Sequence, residues 1–211
     1  MTSDKAAYPA KSKYDSRQSC GYQQRKPAKH RAEMRLIDRA FALVPKSHRV
    51  LDVPCGGGRV LLHLAAQGYA VAGADFSEAM LATARENAAK NGVACAIERQ
   101  DIERMTFADR SYDAVVCFRL FHHFPTAAIR QQVIGELCRV TAHEVVLSYF
   151  NPYSPTSLKR KLTGADPDRF ATPVTELKGY FATNGFRLVK DFAQLPLVHT
   201  LHLAVFARTK P

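Results

Sequence analysis

The chain has 211 residues, of which 46% are hydrophobic, and this suits one globular domain with a buried core. Thirty Lys and Arg residues against nineteen Asp and Glu residues give a formal charge of +11, which favours anionic partners such as RNA, phosphorylated metabolites or membrane headgroups. No apolar run reaches the roughly 18–20 residues of a membrane-spanning helix, and the N-terminus lacks a signal-peptide core, so we expect a cytoplasmic protein.

The first 31 residues form a basic segment. They contain eight Lys and Arg residues and only two acids, Asp4 and Asp15. We interpret residues 1–31 as a basic arm that is either solvated and partly disordered or a lid, with Tyr14 and Tyr22 closing over a ligand. Residues 32–211 then make up the folded domain.

Helical and extended patterns alternate along residues 30–150, and each pattern is bounded by capping or turn residues. Gly68 closes the second predicted helix, and Ser77 is the predicted N-cap of the third. The predicted strands are residues 49–53, 69–75, 94–101, 112–118 and 143–150. The predicted helices are residues 30–45, 59–68, 77–92 and 126–140.

The pattern changes after residue 150. Residues 151–173 are rich in Pro, Ser and charged residues, which predicts an excursion with little regular structure. A helix over residues 174–186 and two strands, 186–194 and 202–210, follow. A short link joins these strands, so we expect them to pair antiparallel.

The order of the elements predicts the fold class. Strands that alternate with helices and read as continuous apolar runs indicate a parallel sheet covered on both faces. The predicted fold is therefore α/β and doubly wound, with a mostly parallel seven-stranded sheet, an antiparallel last strand and helices on both faces.

The stretch LDVPCGGGRV, residues 51–60, places three glycines directly after the first predicted strand. Ligands in open parallel sheets bind beyond the carboxyl ends of the strands, and glycines there let the backbone approach a ligand closely. The loop lacks the third glycine of a GxGxxG fingerprint and the Gly-Lys-Ser/Thr ending of a P-loop. Asp75 ends the second strand about 20 residues later, where folds of this kind hold ribose hydroxyls.

With these residues the chain resembles the class I S-adenosylmethionine-dependent methyltransferases. The matching stretches, in the family's order and spacing, are VLDVPCGGGR (50–59), GADFSEAML (73–81), RQDIERMTFADRSYDAVVCF (99–118) and FHHFP (121–125). The resemblance covers residues 33–150 well and the two late strands loosely. It implies a Rossmann-like methyltransferase domain over residues 32–211, an acceptor-site excursion at 151–173 and S-adenosyl-L-methionine as cofactor.

The resemblance also implies which residues meet the methionine part of the cofactor. Asp52, Gly56 and Gly58 would face it, with Pro54 and Cys55 in the same loop. The family usually has glycine where this chain has Pro54, which offers no amide donor. Asp52 has an alternative role as a brace for the loop.

Further implied contacts lie on the following strands. Asp75 would bind both ribose hydroxyls, with Phe76 beside it. Asp101 would bind the adenine amino group, and Ile102 would flank the base. The carbonyl near Phe118 would meet the methionine ammonium. The alternative for Asp101 is that it begins a turn.

Methyl transfer from a sulfonium is an in-line displacement, so it needs alignment of nucleophile, methyl group and sulfur, and a base where the acceptor carries a proton. His122 and His123 follow the fourth strand and are the candidate catalytic bases. The alternative is that this pair shapes the cofactor pocket or caps the next helix. No metal site is predicted.

Candidate acceptor-binding residues follow the fifth strand. Tyr149, Asn151 and Tyr153 are candidates to line the acceptor site, with plain packing as the alternative. Lys159 and Arg160, in the basic stretch SLKRKL (157–162), are candidates to hold a phosphate or carboxylate, although a solvated basic face explains them equally well.

The leading functional hypothesis is a methyltransferase that acts at oxygen or nitrogen of a small or medium-sized acceptor. The acceptor would be an anionic metabolite or a phosphorylated glycan or lipid precursor. The alternatives are an RNA methyltransferase that follows phosphates with its basic arm, and a non-catalytic module that only binds S-adenosylmethionine.

Overall fold

A computed structural model describes residues 27–163, 169–195 and 199–209. Residues 1–26 of the predicted arm, with Tyr14 and Tyr22, lie outside the described residues. The helices are α1 (Pro27–Phe41), α2 (Arg59–Ala66), α3 (Glu78–Lys90), α4 (Ala127–Val140), α5 (Pro155–Thr163) and α6 (Val174–Ala182). The strands are β1 (Arg49–Asp52), β2 (Ala70–Asp75), β3 (Ile97–Arg99), β4 (Tyr112–Cys117), β5 (Thr141–Phe150), β6 (Phe186–Ala193) and β7 (Leu201–Arg208).

All seven strands form one sheet in the order β3-β2-β1-β4-β5-β7-β6. The first five strands pair in parallel, and β7 runs antiparallel to both β5 and β6. The winding order reverses at β1, which lies between β2 and β4. The α/β class, the doubly wound order and the antiparallel last strand are confirmed.

Local signals place the helix ends near β1 and β2. Gly68 follows α2 at φ 87°, a left-handed conformation that glycine adopts without strain. The Ser77 hydroxyl accepts a hydrogen bond from the amide of Met80 and caps α3. Both predicted boundaries are confirmed.

The core has a layer on each face of the sheet. On one face, apolar residues of α1 and α2, including Ile37, Phe41 and Leu64, pack on β1, β4, β5 and β7. On the other face, α4 and α6 contribute Ile134, Leu137 and other apolar side chains. The central strands are therefore buried on both sides, and their carboxyl ends remain as the edge where a ligand has access.

The excursion after β5 differs from the prediction. Residues Pro155–Thr163 form a helix, so the expectation of little regular structure over 151–173 is wrong for this part. The Ser154 hydroxyl accepts a hydrogen bond from the amide of Ser157, and Pro155 occupies the first helical position. A capping hydroxyl followed by proline is a helix-start signal, and it was present in the sequence.

Two predicted boundaries also shift. Helix α1 begins at Pro27, so the last residues of the predicted basic arm belong to a helix. Strand β3 is only three residues long, against the eight predicted, and its side chains are mostly exposed. It lies at the sheet edge and pairs with β2 alone, so there is little burial to support a longer strand.

Candidate active site

The glycine loop is fixed by backbone hydrogen bonds between neighbouring strands. The amide of Cys55 donates to the carbonyl of Ala74 at 2.8 Å, and the amide of Gly58 donates to the carbonyl of Cys55 at 2.9 Å. Gly56 and Gly58 have φ of 52° and 85°, which favour glycine. The peptide bond between Val53 and Pro54 is cis. The loop thereby turns from β1 into α2 across the carboxyl edge of the sheet.

A cleft opens above this loop, with a volume of about 910 Å³ including its solvent-filled mouth. Nine of the ten predicted cofactor residues line it: Asp52, Pro54, Cys55, Gly56, Asp75, Phe76, Asp101, Ile102 and Phe118. Gly58 lies just behind the lining, at the start of α2, where an added Cβ would come within 3.5 Å of Ala84.

Asp75 joins the end of β2 to the glycine loop. Its Oδ2 accepts a hydrogen bond from the amide of Gly56 at 2.8 Å, and its Oδ1 accepts one from the amide of Ser77 at 2.9 Å. Burial raises the pKa of this carboxyl, and the hydrogen bonds from Ser77 and Gly56 oppose the rise. The amide of Phe76 opposes the rise as well, so three of the about four acceptor sites of this carboxylate are used and Asp75 retains capacity for one further donor.

Asp52, at the end of β1, is buried below the loop. Its Oδ2 accepts a hydrogen bond from the amide of Leu61 at 3.0 Å, so it braces the first turn of α2. Its buried Oδ1 has no hydrogen-bond partner among the described residues. Burial raises the pKa of Asp52 to about 8, and the charge of Asp75 adds to the effect. Asp52 is therefore both the brace that we considered and an unsatisfied acceptor at the cleft.

Asp101 begins a turn at the opposite wall of the cleft. Its carbonyl accepts from the amide of Arg104 at 2.9 Å, and its Oδ1 accepts from the amide of Glu103 at 3.1 Å. The neighbouring Ile102 is buried, whereas Phe76 is 41% exposed with the guanidinium of Arg99 above its ring. The turn fixes the orientation of the Asp101 side chain, and the ring of Phe76 lies at the same wall of the cleft.

Two arginines in the lining were missed by the sequence interpretation. Arg59 and Arg119 both reach the cleft, and the carboxylate of Glu33 on α1 binds them at 2.6 Å and 3.0 Å. Glu33 is 1% exposed, so this is a buried charge cluster. Arg119 has φ 66°, and its amide donates to the hydroxyl of Ser148 on β5. The sequence did not predict these ion pairs, because Glu33 lies far from Arg59 and Arg119 along the chain and no motif links them.

Residues 50–144 match a protein family described as "Methyltransferase domain", and they include the glycine loop, Asp75 and Asp101. Over residues 50–144 this chain is therefore similar in sequence to methyltransferase domains. The resemblance predicted from the four sequence stretches is thus confirmed.

Curated relatives agree with this family. The chain is 39% identical over 105 residues to the ubiquinone biosynthesis O-methyltransferase of Hahella chejuensis, covering 49% of this chain and 42% of that protein. It is 32% identical over 145 residues to the protein of that name in Sodalis glossinidius, covering 67% of this chain and 57% of that protein. The chain thus spans about half the length of the curated relatives it matches.

Solved structures share the fold of this methyltransferase domain. The magnesium protoporphyrin IX methyltransferase of Synechocystis PCC 6803, crystallised with bound SAH, superposes with a TM-score of 0.73 at 20% identity, covering 88% of this chain and 89% of that one. The PH0226 protein of Pyrococcus horikoshii OT3 gives a TM-score of 0.72 at 20% identity, with coverages of 88% and 93%. In the described parts of this chain, none of the helices combines the length and hydrophobicity that a membrane crossing requires.

The predicted catalytic histidines are not part of the cleft lining. His122 is 1% exposed, and its ring stacks on Phe150 at a centroid distance of 3.9 Å, with the His123 ring 4.3 Å away. The amide of Phe170 donates to the carbonyl of His122. The short helical turn after β4 buries Phe121 and carries His122 into the packing. A catalytic role for His122 and His123 stays a prediction that this placement does not favour.

The predicted acceptor residues of the methyltransferase domain separate into two groups. Tyr149 and Asn151 lie together at the carboxyl end of β5 and join one hydrogen-bond network through His202. Tyr153 is 77% exposed, and Lys159 is exposed on α5. The side chain of Arg160 lies outside the described residues. None of the other four residues, Tyr149, Asn151, Tyr153 and Lys159, lines the cleft.

Proposed function

We propose that this chain is an S-adenosylmethionine-dependent O-methyltransferase that acts on a hydroxyl group of a small organic molecule. The observation that carries the proposal is the cleft of the matched domain, where Asp75 holds the glycine loop and keeps acceptor capacity. Oxygen as the acceptor atom is supported by the name shared by the curated relatives.

The donors and acceptors of the cleft fit the polar groups of this cofactor. We assign the ribose diol to Asp75, because this carboxylate lines the cleft and keeps acceptor capacity beyond its backbone amide donors. We assign the methionine ammonium or the sulfonium to the buried Oδ1 of Asp52, which has no hydrogen-bond partner among the described residues; a cation there would favour the ionised form of Asp52. We assign the adenine to the wall formed by Phe76, Asp101 and Ile102, where an aromatic face lies beside a directed carboxylate.

The methionine carboxylate has its own match in the cleft. Arg59 and Arg119 both line the cleft, and each forms an ion pair with Glu33. A guanidinium binds a carboxylate through paired N–H donors. We therefore assign the carboxylate to the two arginines, with Glu33 as the residue that orients them.

The bound cofactor supplies an electrophilic methyl group on a positively charged sulfur. Pro54, Cys55 and Gly56 in the loop would hold one end of the cofactor and Asp75 its ribose, and this would align the methyl group for in-line attack. Burial raises the pKa of the Cys55 thiol, so this side chain stays protonated and serves as packing.

The first experiment is transfer of labelled methyl from S-adenosylmethionine by the purified protein into an extract from cells that lack it. The products are separated into RNA, lipid-glycan and small-molecule pools. We expect label in the small-molecule pool, stable to mild alkali as a methyl ether is. The Asp75→Asn variant serves as the blank, and Asp109→Asn, at a 75% exposed carboxyl, serves as the matched control.

Other outcomes would redirect the assignment. Label in a ribonuclease-sensitive pool would replace the proposal with RNA methylation. Label released as methanol by mild alkali would indicate a carboxylate acceptor instead of a hydroxyl. Absence of label in every pool, with the cofactor still bound, would indicate a module that binds the cofactor without catalysis.

A further inference from the structure

A second cavity, the amino-edge cavity, lies at the edge of the sheet opposite the cleft above the glycine loop. Its volume is about 450 Å³, including its open mouth. Four charged residues of the described chain line it: Asp109 and Arg110 before β4, Arg139 in the last turn of α4, and Arg208 at the end of β7. Because β7 runs antiparallel to β5, Arg208 lies at the edge where the parallel strands begin.

Arg139 uses all of its N–H donors within the fold. Its Nε and Nη2 donate to the two carboxylate oxygens of Glu136 at 2.8 and 2.9 Å, and its Nη1 donates to Asp109 at 2.8 Å. The remaining donors bind the carbonyls of Phe107 and Met105 at 2.7 and 2.9 Å. A guanidinium has five N–H donors, so none is left for a ligand. Two carboxylates match the charge of Arg139, and this residue serves as a wall of the cavity.

Arg208 is held by neutral groups alone in the described part of the chain. Its Nε donates to the carbonyl of Ala142 at 3.1 Å, and its Nη2 donates to the carbonyls of Cys138 and Thr141 at 2.7 and 2.6 Å. The guanidinium also lies over the ring of Phe186, 4.5 Å from the centroid. These contacts fix it near the C-terminal end of α4, where a helix favours a cation. Both N–H donors of its Nη1 remain for a ligand.

Arg110 places a second positive charge beside Arg208. Its φ is 53°, in the left-handed region that residues other than glycine rarely adopt, and its amide donates to the carbonyl of Arg139 at 2.8 Å. Its exposed side chain forms no hydrogen bond or ion pair with the residues that the structure describes. Burial lowers the pKa of Arg208, and the charge of Arg110 lowers it further. The fold therefore holds two like charges together, and an anion between them would relieve their repulsion.

Gly135 leaves one wall of the amino-edge cavity without a side chain. It lies inside α4, where glycine is less favourable than alanine by about 1 kcal/mol. Among the described atoms, a Cβ built there would meet nothing closer than the Oδ1 of Asn184, at 3.8 Å. The Nδ2 of Asn184 donates to the carbonyl of Tyr180 at 2.8 Å, which fixes this amide beside the cavity. The helix thus leaves open space in a cavity whose walls are polar.

We propose that the amino-edge cavity binds the phosphate group of a small phosphorylated molecule between the guanidinium groups of Arg110 and Arg208. A phosphate monoester carries close to two negative charges at pH 7 and presents three acceptor oxygens. Its charge therefore matches the two guanidinium groups that no described carboxylate neutralises, whereas a carboxylate would match only one. Guanidinium groups bind phosphate oxygens through paired N–H donors. This site is separate from the proposed methyl transfer.

The test is calorimetric titration of inorganic phosphate and of glycerol 3-phosphate into the protein, with the ionic strength held constant by chloride. Arg110→Gln removes the charge of an exposed side chain that has no described partner, so the fold should be kept. We expect the affinity for both ligands to fall at least tenfold, because charge-assisted hydrogen bonds are lost. Arg35→Gln, at an exposed arginine of α1, is the matched control and should change either affinity less than twofold.

A second variant supplies the anion from the protein itself. Gly135→Glu would place a carboxylate in the cavity, where space for the new Cβ is available. We expect this variant to lose phosphate binding and to have a higher Tm than the wild-type protein in chloride buffer, because the carboxylate neutralises guanidinium charge. A ligand that binds only the folded state raises Tm as its concentration rises. Phosphate should therefore raise the Tm of the wild-type protein and leave that of Gly135→Glu unchanged.

Three results would overturn the phosphate site. The first is equal phosphate affinity for the wild-type protein and Arg110→Gln, or no effect of phosphate beyond that of chloride. The second is equal affinity for acetate and phosphate, which would indicate a site for any anion. The third is binding of RNA or of vesicles that contain phosphatidic acid, dependent on Arg110, without binding of either free phosphate compound. That result would replace the small molecule with a macromolecular or lipid partner.

Discussion

Replacement of Asp52 by asparagine tests the electrostatics of the cleft without any ligand. Burial raises the pKa of Asp52 from 3.8 to about 8. Between these values the folded protein keeps a proton that the unfolded chain releases. Its free energy of unfolding therefore falls as the pH rises through this window, and the contribution of Asp52 is fully present only below pH 3.8.

The size of the effect follows from the two pKa values. Each pKa unit corresponds to about 1.4 kcal/mol, so from about pH 5 to about pH 8 the wild-type protein should lose roughly 4 kcal/mol through this group. Asp52→Asn keeps an oxygen for the amide of Leu61 and removes the ionisation. Over the same pH interval, the free energy of unfolding of Asp52→Asn should therefore fall by roughly 4 kcal/mol less than that of the wild-type protein. Other titrating groups cancel in the comparison, apart from their coupling to Asp52.

The assay is urea unfolding of both proteins near pH 5 and near pH 8, followed by circular dichroism. For each protein, the change in the free energy of unfolding between the two pH values is compared, because the new amide NH2 group lowers this free energy equally at both. If the two proteins lose the same free energy within about 0.5 kcal/mol, Asp52 is ionised in the fold. The argument from burial would then be wrong.

Two further substitutions test the site and the packing of α1. Asp75→Asn places an NH2 group against the amide of Gly56 or of Ser77, so the affinity for SAH, measured by calorimetry, should fall at least a hundredfold. The control variant Asp109→Asn should leave this affinity unchanged. A change below threefold for Asp75→Asn would contradict the role of Asp75. Glu33→Gln removes the buried charge that Arg59 and Arg119 share, so chemical denaturation should show a loss of about 3–5 kcal/mol. Glu86→Gln, in an exposed pair with Lys90, should leave the free energy of unfolding almost unchanged, and an equal cost for both variants would refute the argument for Glu33.

The parts of the site that sequence reasoning predicted are the parts with a local cause. The glycine loop follows from backbone conformation, because Gly56 and Gly58 adopt positive φ angles that other residues avoid. Asp75 ends a buried strand, and strand ends are set by the apolar run before them. The helix at Pro155–Thr163 had its own local signal, and composition rich in Pro and Ser obscured it.

The parts that the sequence did not predict depend on contacts between distant segments. Glu33 meets Arg119 across 86 residues, and no periodicity in either segment encodes that meeting. Two histidines also show that sequence reasoning does not predict such contacts. His122 was expected at the cleft and instead packs on Phe150, whereas His202, which the sequence analysis did not single out, pairs with Asp191.

The sequence by itself determined the α/β class, the order of most elements and the loop that closes on a ligand, because periodicity, caps and glycine conformation act within a few residues. Only the tertiary structure decided which charges are buried together and which side chains share the carboxyl edge of the sheet. Those outcomes depend on how α1, β6 and β7 pack against the central strands, and side-chain packing is a property of the whole fold.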